Sequence, residues 1–495
     1  MVFILKILTK NSFSIIESEK LSKILAILLL ISFILIPFDD LPYLTKLSGI
    51  GRRAAMYPFF VIIPIIAILS IKKFTFYFEL TIEKLFLLLF YSWTIISIGV
   101  NMSNIINSFY KGESGIAKSI IHLITLTFVI IISYCSEIII SSCKVSIYNI
   151  RTAICISFIP VAIVSSIEIL NILALFDFSN ILEKITYAIN LQLRGYVYGG
   201  RSRGVSAEAS YLGMYCAFIF PWIVSYLYTE KNKIKKIAFA LIASFILLIV
   251  IATKSRTAYI LLIFEIISLF MLVLLFYSKL KVKLYTTCII IVSIMLLTLY
   301  PKGITLIMNR NVESKNITEN QVADPSTTTE SGYEVNSIVS SVTDSENLSN
   351  IARSSMQNAA LKMGINHPIF GVGLGEFGFN FPQYVSENSL RSHEVQVWLD
   401  NSNPTWPPVH SLYHRIIAEI GIPGAILYFA FIFTVCLKLL IKIIKSKNDI
   451  LGILLLISYT SIIIGSLTID TFLLTQFWLM TAVVTLYTQD KISIA

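Results

Sequence analysis

The chain has 495 residues, of which 56% are hydrophobic and 14% are charged, and its mean hydropathy is +0.79. Only helices and closed barrels satisfy every backbone group inside a bilayer, and long apolar runs indicate helices, so this composition predicts an all-α polytopic membrane protein. The net charge of +10 is interpreted as a topology signal, and no nucleic-acid partner is expected. The six cysteines lie in or beside apolar segments, which argues against a disulfide framework or a cysteine-based metal site.

Apolar segments recur along almost the whole chain and predict about 12 transmembrane helices. We place them at roughly 22–38, 55–71, 83–100, 117–140, 152–174, 207–228, 237–253, 257–277, 284–300, 411–437, 450–467 and 471–488.

Lysines mark every second loop between these segments. Because positive charge concentrates in cytoplasmic loops, this alternation predicts that both termini lie in the cytoplasm, an N-in/C-in topology. The lysines of these predicted cytoplasmic segments are Lys6, Lys10, Lys20, Lys23, Lys72, Lys73, Lys144, Lys231, Lys233, Lys235, Lys236, Lys279, Lys281, Lys283, Lys438, Lys442, Lys445, Lys447 and Lys491.

One large loop, 301–409, interrupts the series on the outer side. It separates predicted transmembrane helices 1–9 (residues 1–300) from helices 10–12 (residues 410–495). Its first part, 311–350, is rich in Ser, Thr, Asn and Glu and is predicted to be a flexible tether. Its second part, 351–409, opens with an amphipathic pattern over 351–363 and is predicted to be ordered and to form part of a site.

The arginines follow a different rule from the lysines. Of 11 Arg, only Arg151 falls in a predicted cytoplasmic loop; the others lie on or near the outer face. This placement opposes the usual positive-inside bias. Because a guanidinium is a rigid, permanently charged fork that matches phosphate oxygens, the pattern predicts binding of a phosphate or another anion on the outer face.

Four short motifs lie in order between about 200 and 430. The sequence Arg203-Gly-Val-Ser-Ala-Glu-Ala-Ser210 is followed by Ser255-Arg256 at a helix end. The stretch from Arg353 to Gly373 comes next, and His410-Ser411 is then separated by nine residues from Gly421-Ile-Pro-Gly424. Together they resemble the motifs of the superfamily of O-antigen ligases and Wzy-type O-antigen polymerases, and Wzy-type polymerases most of all.

The resemblance implies a fold like that of the C-type glycosyltransferases and an active site on the periplasmic face of the bacterial inner membrane. It implies an integral-membrane glycosyltransferase that polymerises oligosaccharide repeat units carried on undecaprenyl diphosphate, without a metal or another cofactor. The expected partners are these lipid-linked glycans, membrane lipids and a chain-length regulator. An O-antigen ligase that transfers glycan to lipid A-core is one alternative, and a lipid-linked oligosaccharide flippase or transporter is another.

The resemblance also suggests roles for particular residues. Arg203, Arg256 and Arg353 match the arginines implicated in holding the pyrophosphate of the donor, where fixed guanidinium groups stabilise the departing charge. His410 is the candidate catalytic residue, since a neutral imidazole accepts a proton from a sugar hydroxyl. The alternatives are arginines that anchor helix ends at lipid headgroups and a histidine that caps a helix.

Several further residues are weaker candidates for supporting roles. Glu208 is expected to pair with an arginine, to orient the acceptor sugar or to cap a helix, and Glu419 to hold the geometry of its segment. Arg194 and Arg201 belong to the same outer loop as Arg203, and His414 follows His410 by one helical turn.

No metal site is predicted. The five histidines are scattered, and Asp39-Asp40 lacks the Asp-x-Asp spacing of many metal-dependent glycosyltransferases.

Overall fold

The computed structural model describes residues 16, 18–73, 79–192, 194–195, 200–318 and 348–494, with the backbone alone for residues 73 and 302–318. Its elements in the first half of the chain are the helices α1 (Glu19–Ile34), α2 (Ser48–Arg52), α3 (Phe59–Lys73), α4 (Ile82–Val100), α5 (Met102–Asn107), the two strands β1 (Phe109–Tyr110) and β2 (Glu113–Ser114), and the helices α6 (Gly115–Ser142), α7 (Ile147–Ile172), α8 (Ser179–Ile189) and α9 (Ala209–Thr229).

In the second half of the chain the described residues form helices joined by loops, with two short 3₁₀-helices in the large loop. Its elements are α10 (Lys233–Thr253), α11 (Arg256–Phe276), α12 (Leu280–Thr318), α13 (Leu348–Asn366), α14 (Phe377–Asn380), α15 (His393–Leu399), α16 (Leu412–Ser446), α17 (Ile450–Gly465) and α18 (Thr475–Thr488).

Nine helices of the described residues are long and apolar enough to cross a membrane. The all-α polytopic membrane fold is therefore confirmed. Each of the 12 predicted segments corresponds to a helix, but those at α1, α17 and α18 are only 16, 16 and 14 residues long. The number of membrane crossings and the N-in/C-in topology stay predictions.

The membrane helices pack around a single apolar core. Helix α16 packs along α4, α17 packs against α9 and α11, and α18 packs against α6. Short side chains at the crossings allow close approach: a Cβ added at Gly213 would lie 2.4 Å from that of Ala258.

Helix α16 contains a break that lets the large loop approach it. Gly421 has φ +84°, which favours glycine, and a Cβ at this position would lie 2.3 Å from the carbonyl oxygen of Ile369. The break frees backbone groups of α16, and Val372 and Gly373 donate to the carbonyl oxygens of Ala418 and Glu419 at 2.9 Å each. The first glycine of the Gly421-Ile-Pro-Gly424 motif is thus explained by a close contact between two backbone segments.

The second part of the large loop has a small core of its own. Met356 and Met363 of α13 pack with Phe377, Phe381 and Trp398 of the segments that follow. The predicted amphipathic helix at 351–363 is confirmed within α13, as its apolar residues face this core. Most of the predicted flexible stretch, residues 319–347, lies outside the described residues.

The loop rests on a platform formed by residues 97–119, which include the turn between the two short strands. Lys111 in that turn donates its ammonium protons to the carbonyl oxygens of Val397 at 3.0 Å and Thr405 at 2.9 Å. The hydroxyl of Tyr110 donates to the carbonyl oxygen of Trp398 at 3.0 Å. These bonds hold the backbone on both sides of residues 399–404, just before Trp406.

Three polar side chains from the ends of α4 and α6 complete the platform. Ser97 donates to the carbonyl oxygen of Phe370 at 2.6 Å, Asn101 to that of Gly371 at 3.2 Å, and Ser119 to that of Leu374 at 2.6 Å. The acceptor in every case is a backbone carbonyl of the large loop.

A second clamp holds the smaller outer loop, around 190–207. Asp40 pairs with Arg52 and accepts from the backbone N–H groups of Leu191 at 3.1 Å and Gln192 at 2.8 Å. Asp39, which lies 3.7 Å from Arg53, accepts from the N–H of Ala207 at 2.6 Å. Burial raises the pKa of Asp39 to about 6 despite the Arg53 charge, which lowers it. These acids therefore connect the end of the first helix to the loop that precedes α9.

Candidate functional site

A cavity of about 300 Å³ brings several predicted site residues together. Its walls are formed by Gln192, Arg201, Arg203, Glu208, Ala209, Ser210 and Arg353. The arginines of the smaller loop and of α13, which are separated by about 150 positions in the chain, thus face one space. Such a volume lies at the lower end of the range for small-molecule sites, about 300–1,000 Å³.

Arg203 is buried and its backbone is fixed by a carboxylate from α7. Glu168 Oε2 accepts from the N–H of Arg203 at 3.0 Å, from the N–H of Gly204 at 2.7 Å and from the hydroxyl of Ser202 at 2.6 Å. Gly204 takes a φ of +56°, which completes this tight turn. Sequence reasoning did not identify Glu168, although an acidic residue near the end of an apolar segment is a signal of this kind.

Arg201 and Arg256 meet at the turn between α10 and α11. Arg201 Nε donates to the carbonyl oxygen of Thr253 at 3.0 Å, which satisfies a free carbonyl at the end of α10. Arg256 is the first residue of α11, and its Nη1 donates to Asn350 Oδ1 at 2.5 Å. Arg256 is close enough to Arg353 and Arg201 for their charges to interact. Arg201, Arg203 and Arg353 therefore line one cavity, and Arg256 lies near two of them without forming part of the cavity wall.

His410 lies immediately before α16, in a left-handed turn with φ +56°. The turn is held from two sides: Gln357 Nε2 donates to the carbonyl oxygen of His410 at 3.1 Å, and the N–H of Val409 donates to Asp470 Oδ2 at 2.5 Å. The indole of Trp398 lies 5.5 Å from the imidazole, centroid to centroid. The backbone of the turn is therefore fixed on two sides, and the ring packs against Trp398.

The imidazole of His410 is neutral over a wide pH range. Burial lowers its pKa to about 4, while the nearby Asp470 carboxylate opposes this effect and the Arg353 guanidinium adds to it. Nε2 is buried and has no hydrogen-bond partner among the described residues. Arg353 interacts with His410 and also lines the arginine cavity, so it connects the two halves of the site.

Asp470 and Arg415 are residues that sequence reasoning missed. Arg415 Nη1 donates to the carbonyl oxygen of Asp470 at 2.8 Å, and its Nε donates to Glu419 Oε2 at 2.9 Å. Glu419 is buried, and its Oε1 accepts from the N–H of Phe377 at 3.4 Å. This chain of contacts connects the loop after α17 to α16 and to the large loop, which is the geometric role expected for Glu419.

The weaker candidates lie at the cavity wall, in the first turn of α16 and on the exposed surface. Glu208 precedes α9 and lines the cavity, but its side chain accepts no backbone N–H from the N-terminal turn of that helix. His414 is one turn into α16, where its Nδ1 lies 2.8 Å from the hydroxyl of Ser411 rather than beside the His410 ring. Arg194 is exposed, and its guanidinium stacks 4.0 Å from the centroid of the Tyr187 ring outside the cavity wall.

Among the described residues, no three His, Cys, Asp or Glu side chains are grouped as a metal site requires.

The fold and the site define a class of protein: a multi-pass helical membrane protein with an arginine-lined cavity near a partly buried histidine whose Nε2 atom is buried. Residues 238–429 match the family model Wzy_C, described as O-antigen ligase. The resemblance to the superfamily of O-antigen ligases and Wzy-type polymerases that the motifs predicted is therefore confirmed over this region. No curated protein gave a significant match.

The matched region contains Arg256, Arg353 and His410, whereas Arg203 precedes it. The family implies a membrane glycosyltransferase-like activity of the ligase or polymerase type on lipid-linked glycans.

Proposed function

We propose that this protein polymerises oligosaccharide repeat units carried on undecaprenyl diphosphate into O-antigen or a related surface polysaccharide. The reaction takes place on the periplasmic face of the bacterial inner membrane. The lysine distribution supports an N-in/C-in topology, with the large loop and the arginine cavity on the opposite side from the lysine-rich loops. A chain-length regulator as partner follows from the family resemblance alone.

The observation that carries the proposal is the position of Arg353 between the arginine cavity and His410. The diphosphate of the donor binds Arg203, Arg256 and Arg353, and the acceptor hydroxyl approaches His410. The proton of that hydroxyl moves to Nε2 of His410, its oxygen forms a bond to the anomeric carbon, and the bond from that carbon to the phosphate oxygen breaks. The electron pair leaves with undecaprenyl diphosphate, whose charge the guanidinium groups stabilise.

The same geometry explains how a histidine of low pKa acts as a base. In the free protein the Arg353 charge disfavours protonation of His410. A bound diphosphate supplies negative charge that compensates Arg353, so the pKa of the imidazole rises when the donor is present. The base therefore becomes stronger when a substrate is in place.

The experiment compares surface polysaccharide from a strain that lacks this gene and carries Arg353→Ala, His410→Ala or the wild-type protein at equal expression. Loss of one donor to a developing charge typically costs about 10²–10³ in rate, so each variant is expected to lose the polymer ladder and retain single repeat units. Arg391→Ala is the matched control, because Arg391 is exposed in the same loop and does not line the cavity. A normal ladder from Arg353→Ala or His410→Ala would contradict the site.

The family model is described by its ligase members, so ligation is the second candidate. A ligase would leave long glycan on undecaprenyl diphosphate and no repeat units on the lipid A-core when the gene is absent. A polymerase would leave single units attached to the core. The same gel therefore distinguishes the two reactions.

A further inference from the structure

Glu208 is an anionic residue in the wall of a cationic cavity. It lies in the same 300 Å³ space as Arg201, Arg203 and Arg353. No ion pair of the described residues includes Glu208, and the side chains that contact it are neutral. A carboxylate in this position repels a phosphate oxygen, so it cannot serve as part of the anion clamp.

The two oxygens of Glu208 are held by neutral donors and remain accessible. Gln192 Nε2 lies 3.5 Å from Oε1, and the hydroxyl of Ser210 lies 3.3 Å from Oε2. An ionised carboxylate accepts about four hydrogen bonds, so each oxygen has capacity left for a ligand. Glu208 is exposed, and this capacity faces the cavity.

Hydrogen bonds hold the backbone of the cavity rim at Gln192. Asp40 Oδ2 accepts from the N–H groups of Leu191 and Gln192, and the carbonyl oxygen of Asp40 accepts from the N–H of Leu191 at 2.8 Å. Asp40 is itself paired with Arg52. The backbone that carries the Gln192 side chain is thus fixed beside the segment after the first helix, which reduces the cost of ordering this rim when a ligand binds.

We propose that Glu208, Gln192 and Ser210 form a subsite for the sugar joined directly to the diphosphate of the donor. The inference rests on the proposed function, because a donor whose diphosphate lies on the arginines must place its first sugar beside them. Hydroxyl or amide N–H groups of that sugar donate to Glu208, and the Gln192 amide contacts a neighbouring polar group. The subsite selects donors by the hydrogen-bond donors of this first ring.

The test uses two ligands that differ in the sugar. Farnesyl diphosphate carries the anion without a sugar, and the lipid-linked repeat unit is purified from cells that lack this gene. Binding of each is measured to the full-length protein in nanodiscs of phosphatidylethanolamine and phosphatidylglycerol. Glu208→Gln keeps the side-chain shape and removes the charge.

The subsite predicts opposite effects on the two ligands. In Glu208→Gln, farnesyl diphosphate is expected to bind a few-fold more tightly, because a negative charge beside the arginines is gone. The repeat unit is expected to bind about tenfold more weakly, because a charge-assisted hydrogen bond is lost. Gln192→Ala is expected to weaken binding of the repeat unit and to leave binding of farnesyl diphosphate unchanged.

The outcomes separate this inference from the function on which it depends. If Glu208→Gln leaves both affinities unchanged or lowers both alike, the sugar subsite is wrong. If Arg353→Ala leaves the affinity for farnesyl diphosphate at the wild-type level, the diphosphate clamp itself is wrong. Tighter binding of farnesyl diphosphate also shows that the Glu208→Gln protein is folded.

Discussion

Lys111 is expected to control how firmly the large loop stays docked. Its ammonium donates two hydrogen bonds to loop carbonyls, and a bond from a charged group contributes about 1.5–3 kcal/mol to stability. Lys111 is partly exposed, so water competes, and we take the loss on Lys111→Met as about 1.5 kcal/mol in total. That loss corresponds to an approximately tenfold larger population of the undocked loop.

Hydrogen–deuterium exchange measures this population directly. Amides of residues 393–409 are expected to exchange about tenfold faster in Lys111→Met, and those of helix α9 to exchange at the wild-type rate. Lys111→Arg keeps donors within reach of the carbonyls and is expected to retain most of the protection. Lys46→Met, at an exposed lysine outside the platform, is the matched control. Unchanged exchange of 393–409 in Lys111→Met would refute the reasoning.

Two further predictions concern pH. The proposed reaction needs neutral His410, whose pKa burial lowers to about 4 in the free protein. The acid limb of the kcat/KM profile is therefore expected near pH 4. The acid limb of kcat is expected at higher pH, because the bound diphosphate compensates the charge of Arg353. An acid limb of kcat/KM near pH 6.5 would contradict this. Burial raises the pKa of Glu376, which is packed against Gly115, to about 7, with the Glu419 charge adding to the shift and Ser108 opposing it. The folded state favours the neutral carboxyl of Glu376. The stability that this group contributes is therefore fully present below its usual pKa of 4.5 and is lost as the pH rises through 7. The free energy of unfolding of Glu376→Gln is expected to exceed that of wild type by a margin that grows to about 3 kcal/mol between pH 5 and 8. A difference in thermal stability that does not change with pH would contradict this.

The sequence identified the arginine cluster because arginine opposes the usual charge bias of membrane loops. Arg203, Arg256 and Arg353 occur in motifs at helix ends, and helix ends on one side of a bilayer meet at one surface. Local spacing was enough to predict a shared site, and the structure places Arg203 and Arg353 in the wall of one cavity although they are distant in the chain.

The residues that the sequence did not reveal act through tertiary contacts with no local pattern. Asp470 is a lone acid after an apolar segment, and its contact with the turn at His410 depends on how α17 returns to the outer face. Glu168 holds the Arg203 turn from a different helix. His414 was expected beside His410 because a continuous helix places them on one side, but α16 begins only after His410.

The platform contacts also have a consequence for how the protein can diversify. Ser97, Asn101, Lys111 and Ser119 provide side-chain donors, and the large loop provides backbone carbonyls. A carbonyl oxygen is present whatever side chain its residue carries, so these docking bonds do not depend on loop side chains. The loop therefore has freedom to change its sequence, while the platform keeps it in register with the candidate site.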